Sequence, residues 1–185
     1  LTEREGLPSE LVTSWFEDNE GNIWIGTVGG GIARIRERVF QVIGPREGLP
    51  EKVVRSVAID AGGAIWAGMM SGQLARWSDG QCTLVPLPPV DSTPMGGITV
   101  WPSRSGGVWI GSLYHGLMRF EHGQISRPVT VPDTWFIQTF FEDSQNSLWI
   151  GGLGILRRYA AGILKSFGAG EGFQSGIAVN AIAED

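Results

Sequence analysis

Three adjacent carboxylate pairs, Glu17-Asp18, Glu142-Asp143 and Glu184-Asp185, are the residues best suited by type to acid–base work in this chain of 185 residues. General acid–base chemistry needs groups that converge on one reacting bond. These pairs instead recur at one position of a repeat, so they are spread apart, and neighbouring acids on a strand project to opposite sides. Turn-making accounts for them, because an Asp carboxylate accepts from backbone N–H groups a few residues on. Asp18-Asn19-Glu20-Gly21 has some of the look of a calcium loop but lacks the alternating acidic ligands and the distal bidentate Glu. His115 and His122 lie seven residues apart, with no Cys or third His at ligand spacing. There is no Gly-x-Ser-x-Gly elbow. Gly29-Gly30-Gly31 opens a strand, not a helix whose N-terminus would hold phosphate. The expectation is no catalytic residue, no metal and no cofactor.

The elements that carry these residues are repeated. Trp24-Ile25-Gly26, Trp66-Ala67-Gly68, Trp109-Ile110-Gly111 and Trp149-Ile150-Gly151 follow one another at steps of 42, 43 and 40 residues. Six residues before each Trp stand Asp18, Asp60, Ser103 and Asp143, and Asp185 continues the series. Three residues after these come Gly21, Gly63, Gly106 and Asn146. Ile32, Leu74 and Leu117 follow their Trp by eight residues, and counting through a shortened turn gives Ile155 and then Arg157 as the fourth members of the Ile32 and Arg34 series. Arg34, Arg76, Arg119 and Arg157 could form a guanidinium ring for an anion. Because they track the repeat, pairing with the turn Asp or with neighbouring carbonyls is the favoured reading. Glu5-Gly6-Leu7-Pro8 returns as Glu47-Gly48-Leu49-Pro50 and, degenerately, as Glu171-Gly172-Phe173.

Each unit reads as four short strands. In the first copy these are 11–17, 23–27, 32–35 and 39–43, β-branched and aromatic, separated by turns rich in Gly, Asp and Asn. No window carries an apolar stripe at helical spacing. Four strands in about 42 residues, repeated, predict an all-β fold: a β-propeller of four-stranded antiparallel blades. The boundaries fall near 5–46, 47–88, 89–130 and 131–170, with 171–185 starting a fifth blade. Four blades plus one strand predict part of a larger propeller. The Trp is expected to wedge between blades, and the Gly after it to permit their close approach.

Glu-Gly-Leu-Pro, then Val-x-x-x-x-x-Asp-x-x-Gly-x-Ile-Trp-Ile-Gly-Thr, then Gly-Ile/Leu-x-Arg, resembles the two-component regulator propeller repeat. The best copy runs from Glu5 to Ile35. The third departs with Pro102-Ser103 and with Pro94-Met95-Gly96 in place of the Gly-Leu-Pro turn, and the fourth with Asn146. The resemblance implies the extracytoplasmic, periplasmic sensor region of a bacterial inner-membrane receptor. Ligand binding there would alter packing on a downstream β-sandwich, and so a cytoplasmic histidine kinase or diguanylate cyclase. The Asp-box of sialidase-type propellers places Trp five residues after Asp, against six here. Streptogramin-lyase-like propellers also use an Asp-Gly-x-x-Trp phrase and remain an alternative, with His115 as the sole catalytic candidate.

Composition narrows the partners. A net charge of −5 argues against a nucleic-acid surface, and no apolar run of membrane-spanning length occurs. Cys82 is the single cysteine, so no internal disulfide forms, and it reads as a small strand residue. Ligand contacts should be residues that break the repeat on the face carrying the inter-blade loops and the second-to-third-strand turns. Arg46, Lys52, Met69, Tyr114, His115, Trp135 and Phe136 are the candidates, the aromatic ones suited to stacking on a sugar ring. The expected partners are a small molecule or carbohydrate, the remaining blades of a parent chain, and a second copy in a homodimer.

Overall fold

The computed structural model describes residues 2, 6–36, 39–89, 92–129, 136–173 and 176–185. They form four antiparallel sheets, each a four-strand meander in sequence order. The first holds β1 (Val12–Glu17), β2 (Ile23–Thr27), β3 (Gly31–Arg36) and β4 (Val39–Ile43), matching the strands read from the first repeat. The second holds β5 (Val54–Ile59), β6 (Ile65–Met69), β7 (Leu74–Ser78) and β8 (Gln81–Leu84). The third holds β9 (Ile98–Pro102), β10 (Val108–Ser112), β11 (Gly116–Glu121) and β12 (Gln124–Ser126). The fourth holds β13 (Ile137–Glu142), β14 (Leu148–Gly152), β15 (Ile155–Ala160) and β16 (Ile163–Phe167). Among the described residues helix is limited to two single 3-10 turns, Pro45–Glu47 and Ala169–Glu171. The first strand of each sheet touches the first strand of the next, so β1, β5, β9 and β13 line a common axis. The architecture is a β-propeller.

The 3-10 turns explain the Glu-Gly phrase. Gly44 N–H donates to Glu47 Oε2 at 2.7 Å, and Gly168 N–H to Glu171 Oε2 at 2.9 Å. The following residues, Gly48 and Gly172, have φ of 102° and 86°, a region that favours glycine.

The Asp–Trp spacing is a hydrogen-bonded clamp. Asp18 Oδ1 accepts the N–H groups of Glu20 and Asn22, both at 2.9 Å, while Oδ2 accepts the Trp24 indole N–H at 2.9 Å. Asp60 does the same with Gly62, Ala64 and Trp66. Asp143 does so with Gln145, Ser147 and Trp149. Asn146 takes the left-handed conformation (φ 60°) where the other copies use Gly.

The third blade lacks the clamp. Ser103 is too short to reach the indole, and Trp109 Nε1 is buried without a hydrogen-bond partner. In Ser103→Asn the Glu142 carboxylate, 3.5 Å from Ser103 Oγ, takes the amide and leaves Oδ1 for the indole, so the unfolding free energy should rise by about 1 kcal/mol, read from the urea midpoint. Ser103→Asp should gain less, because Glu142 Oε1 lies 3.5 Å from Ser103 Oγ and would repel a second carboxylate. A variant in which Asp outperforms Asn would refute this account of the orphaned indole.

Each indole also carries a guanidinium. Arg34, Arg76 and Arg119 lie over Trp24, Trp66 and Trp109 at 5.2, 5.8 and 4.9 Å from the ring centroid. Arg76 Nε approaches Asp60 Oδ2 at 3.9 Å, and Arg119 donates to Gly106 O at 3.1 Å. The fourth member is Arg158, not Arg157. Trp149 pairs with Arg158, whose guanidinium sits 5.7 Å from the ring. The Gly152–Ile155 turn is one residue shorter than its counterparts, so Leu156, opposite Gly151, takes the place of Ile32 opposite Gly26. Arg157 falls on the other face of β15, where burial lowers its pKa to about 10.

The core is a series of wedges between sheets. Trp24, Ile32 and Ile43 meet Val54, Ile65 and Met69. Trp66 and Leu74 meet Ile98, Val100 and Ile110. Trp109 and Leu117 meet Ile137, Phe140 and Ile150. The glycine after each Trp marks closest approach. A methyl at Gly26 would lie 3.3 Å from Val54, at Gly111 2.5 Å from Ile137, and at Gly151 2.7 Å from Val179. The segment around Val179 therefore stands against the fourth sheet as Val54 stands against the first, and Ala178 bridges Leu153 as Val53 bridges Val28.

Candidate ligand-binding face

The inter-blade connections and the second-to-third-strand turns lie at one end of the axis, and a cavity of about 460 Å³ opens there. Its wall includes Thr13, Val53, Arg55, Met70, Gln138 and Asn180. Thr13, Arg55, Thr99, Gln138 and Asn180 occupy one repeated position: each follows the apolar residue that opens a first strand (Val12, Val54, Ile98 and Ile137), or Val179 in the last case. Blade packing holds Val54, Ile98 and Ile137 in the wedges, while Val12 stands on the uncovered face of the first sheet, and in each case the next side chain faces the axis.

Arg55 is the charged member of this set. Its Nε donates to Thr99 Oγ1 at 3.3 Å and a terminal nitrogen to Ile137 O at 3.4 Å, both long for such bonds. Burial pushes its pKa below the ordinary guanidinium value. Gly97 lies beneath it, since a Cβ there would come within 2.7 Å of Arg55 Cδ and 3.1 Å of Met70 Sδ. Thr13 Oγ1 donates to Val54 O at 2.7 Å, which leaves its lone pairs directed elsewhere.

The candidates read from the sequence divide. Tyr114 and Phe136 come together, edge to face with ring centroids 5.7 Å apart, both partly exposed. Tyr114 rests on Gly96, the neighbour of Gly97, so the aromatic pair stands beside the Arg55 cavity. His115 lies next to Tyr114, its Nε2 2.9 Å from Thr93 O, and its carbonyl accepts from Arg127 at 3.0 Å. Arg46 and Lys52 are exposed on the connection between the first two sheets. Met69 is corrected: it is 0% exposed in the first wedge, and Met70 lines the cavity instead. β6 is buried along its whole length, so its last residue, Met69, is enclosed, and exposure begins at Met70 just past the strand. Trp135 lies outside the described residues. His122 sits in the β11–β12 turn, at the opposite end of β11 from His115.

Two features went unread in the sequence. Arg55 is one; its only signal is a single charge at a position otherwise held by neutral polar residues. The other is the glutamate of the acidic pair. Asp143 closes its own turn, but Glu142, 5% exposed, reaches back a full blade to accept Arg104 N–H at 2.8 Å. Glu184 does the same to Ser144, accepting its N–H at 2.8 Å and its hydroxyl at 2.7 Å. These pairs therefore tie neighbouring blades together. Among the described residues no group of three His, Cys, Asp or Glu gathers as a metal site would, and no helix is long and apolar enough to cross a membrane. Cys82 packs against the first wedge, and burial raises its thiol pKa.

Comparison of the structure with solved ones finds the same fold in several settings. It superposes on a catalytically inactive virginiamycin B lyase from Staphylococcus aureus with quinupristin (TM-score 0.73, 15% identity), covering 88% of this chain and 57% of that one. It superposes on an extracellular domain from B. thetaiotaomicron described as that of the hybrid two component system BT3049 (TM-score 0.62, 20% identity), covering 91% and 30%. A second such domain, of BT4673 from the same organism and described as a one component system, gives 0.63 at 18% identity, covering 88% and 25%. The chain thus spans a little over half of the lyase and a third or less of the two extracellular domains. A search of curated proteins finds no match. Residues 6–29, from the Gly-Leu-Pro turn through the clamp of the first blade, match the model of the two component regulator propeller, and this chain is a β-propeller carrying that repeat.

Proposed function

We propose that this propeller is a ligand-sensing module of a bacterial two-component-type receptor, working outside the cytoplasm and passing the signal to a downstream kinase or cyclase. One observation carries the reading: an open cavity at the axis, walled by side chains that differ from blade to blade at one repeated position and flanked by the Tyr114–Phe136 pair. The ligand is a small molecule or glycan, since ring edges and faces of this kind suit sugar C–H surfaces. The repeat matched over residues 6–29 supports the signalling context. Trp15, opposite Ile25 on β1, is 69% exposed, whereas Phe140, opposite Ile150 on β13, is 1% exposed. The bare face of β1 has the shape to receive a further blade or a second copy.

Thermal-shift and calorimetric titration against a panel of oligosaccharides tests the reading. Saturable stabilisation by a glycan, weakened at least tenfold by Tyr114→Ala with the melting temperature retained, is the expected result. No stabilisation by any member would defeat it. The likeness to virginiamycin B lyase favours a second reading, a lyase with His115 as base. Conversion of quinupristin, followed by mass spectrometry and lost in His115→Ala, would replace the sensor reading.

A further inference from the structure

The axial ring is polar at each first strand but charged at one position, which leaves a cation facing a cavity in a chain of net charge −5. Arg55 has no part in the ion pairs Arg76–Asp60 and Arg119–Glu121, and its own hydrogen-bond partners are neutral. A half-buried guanidinium without a carboxylate is costly unless something else satisfies it. Two of its five N–H donors are engaged, both at long range, with a hydroxyl and a carbonyl. Gly97 and Met70 pack behind the side chain and fix its approach to the cavity. The remaining donors have the fork geometry that matches a carboxylate.

We propose that the axial cavity binds the carboxylate of a sugar acid, with Arg55 as its cationic anchor. Gln138 and Asn180 supply amides to the ring hydroxyls, and the Thr13 hydroxyl, whose proton is already donated to backbone carbonyls, accepts from one of them. The Tyr114–Phe136 pair faces the ligand's less polar edge from the rim. A cavity of about 460 Å³ accommodates a mono- or disaccharide. The proposal rests on the ligand-sensing reading and specifies the chemistry of its ligand.

D-glucuronate and D-glucose are the paired probes, titrated calorimetrically into the chain and followed by the Arg55 Nε–H resonance in a ¹⁵N spectrum. Glucuronate should bind at least tenfold more tightly than glucose and move that resonance. Arg55→Gln should lose at least tenfold in glucuronate affinity. Gln138→Glu, which leaves Arg55 in place but supplies an internal carboxylate, should lose as much while unfolding at a higher temperature. Lys165→Gln, a charge removed from the outer strand β16, should change affinity by less than twofold. No saturable binding of glucuronate, or binding indifferent to both Arg55→Gln and Gln138→Glu, overturns the proposal. If neutral glycans bind and glucuronate does not, the anion site falls while the sensor reading stands. If glucuronate binds through Arg55 while the oligosaccharide panel fails, the anion site stands and the ligand is the free sugar acid, not a longer glycan.

Discussion

Gly68→Ala should cost about 3 kcal/mol of unfolding free energy, three times the cost of the same change at Gly26, although both glycines occupy the same place in their blades. The difference lies in what the new methyl would meet. At Gly68 it would run into the Ile98 backbone, with the carbonyl carbon at 2.8 Å and Cγ2 at 3.0 Å. The carbonyl belongs to the first strand of the next blade, so relief requires moving β9 and opening the wedge that holds Trp66 at 1% exposure. At Gly26 the nearest atom is the Ser14 hydroxyl at 2.6 Å, a side-chain end that can rotate away, and the next is a Val54 methyl at 3.3 Å. Gly170→Ala is the control: nothing lies within 4 Å of the added carbon, and the smaller entropy of the unfolded chain should stabilise by about 0.5 kcal/mol. Urea unfolding of the three variants orders them, and equal losses at Gly68 and Gly26 would show that blade spacing is not set by this contact.

That the glycine matters is legible in the sequence, because Trp-x-Gly recurs at a regular step; which glycine is least tolerant is not. The step encodes what every blade needs alike: the clamp, the wedge and the close approach. Residues such as Trp24, Asp60 and Gly111 could therefore be placed from spacing alone. Spacing failed where a copy changed length. Arg157 and Arg158 are adjacent, and only the pairing of Gly152 with Ile155 decides which one faces Trp149. It also failed where a residue acts on another blade. Glu142 looks like half of a local pair, yet its partner is 38 residues upstream. The ligand-facing set was read by composition, which found Tyr114 and Phe136 because aromatic residues on loops stand out. Arg55 was passed over because it lies inside a strand. Its turn toward the axis follows from the burial of Val54 in the first wedge, a contact between blades that no residue type announces.

Asp143→Ala should destabilise by about 3 kcal/mol, because the carboxylate serves three donors that burial leaves no water to replace. Ser147 N–H donates to Oδ1 at 2.7 Å, Gln145 N–H to the same oxygen at 3.0 Å, and the Trp149 indole to Oδ2 at 2.8 Å. Asp143→Asn separates shape from charge. Its Oδ1 keeps the turn, but its amide meets the indole donor to donor, so it should cost about 2 kcal/mol. The two variants also separate in pH. Burial alone would raise the Asp143 carboxyl, but the bonds from Ser147, Trp149 and Gln145, with the Arg158 charge, outweigh it and hold the pKa below the usual carboxylate value. A group whose folded pKa is depressed contributes fully above its unfolded pKa, about 3.9, and loses that contribution as pH falls through the folded value. Asp18, depressed in the same direction by its indole and turn bonds against burial, adds to the same window. The gap between wild type and Asp143→Asn should therefore be constant from pH 5 to 8 and narrow below about pH 4. A gap that stays constant through the acid range would mean that the hydrogen bonds, and not the ionised carboxylate, carry the clamp.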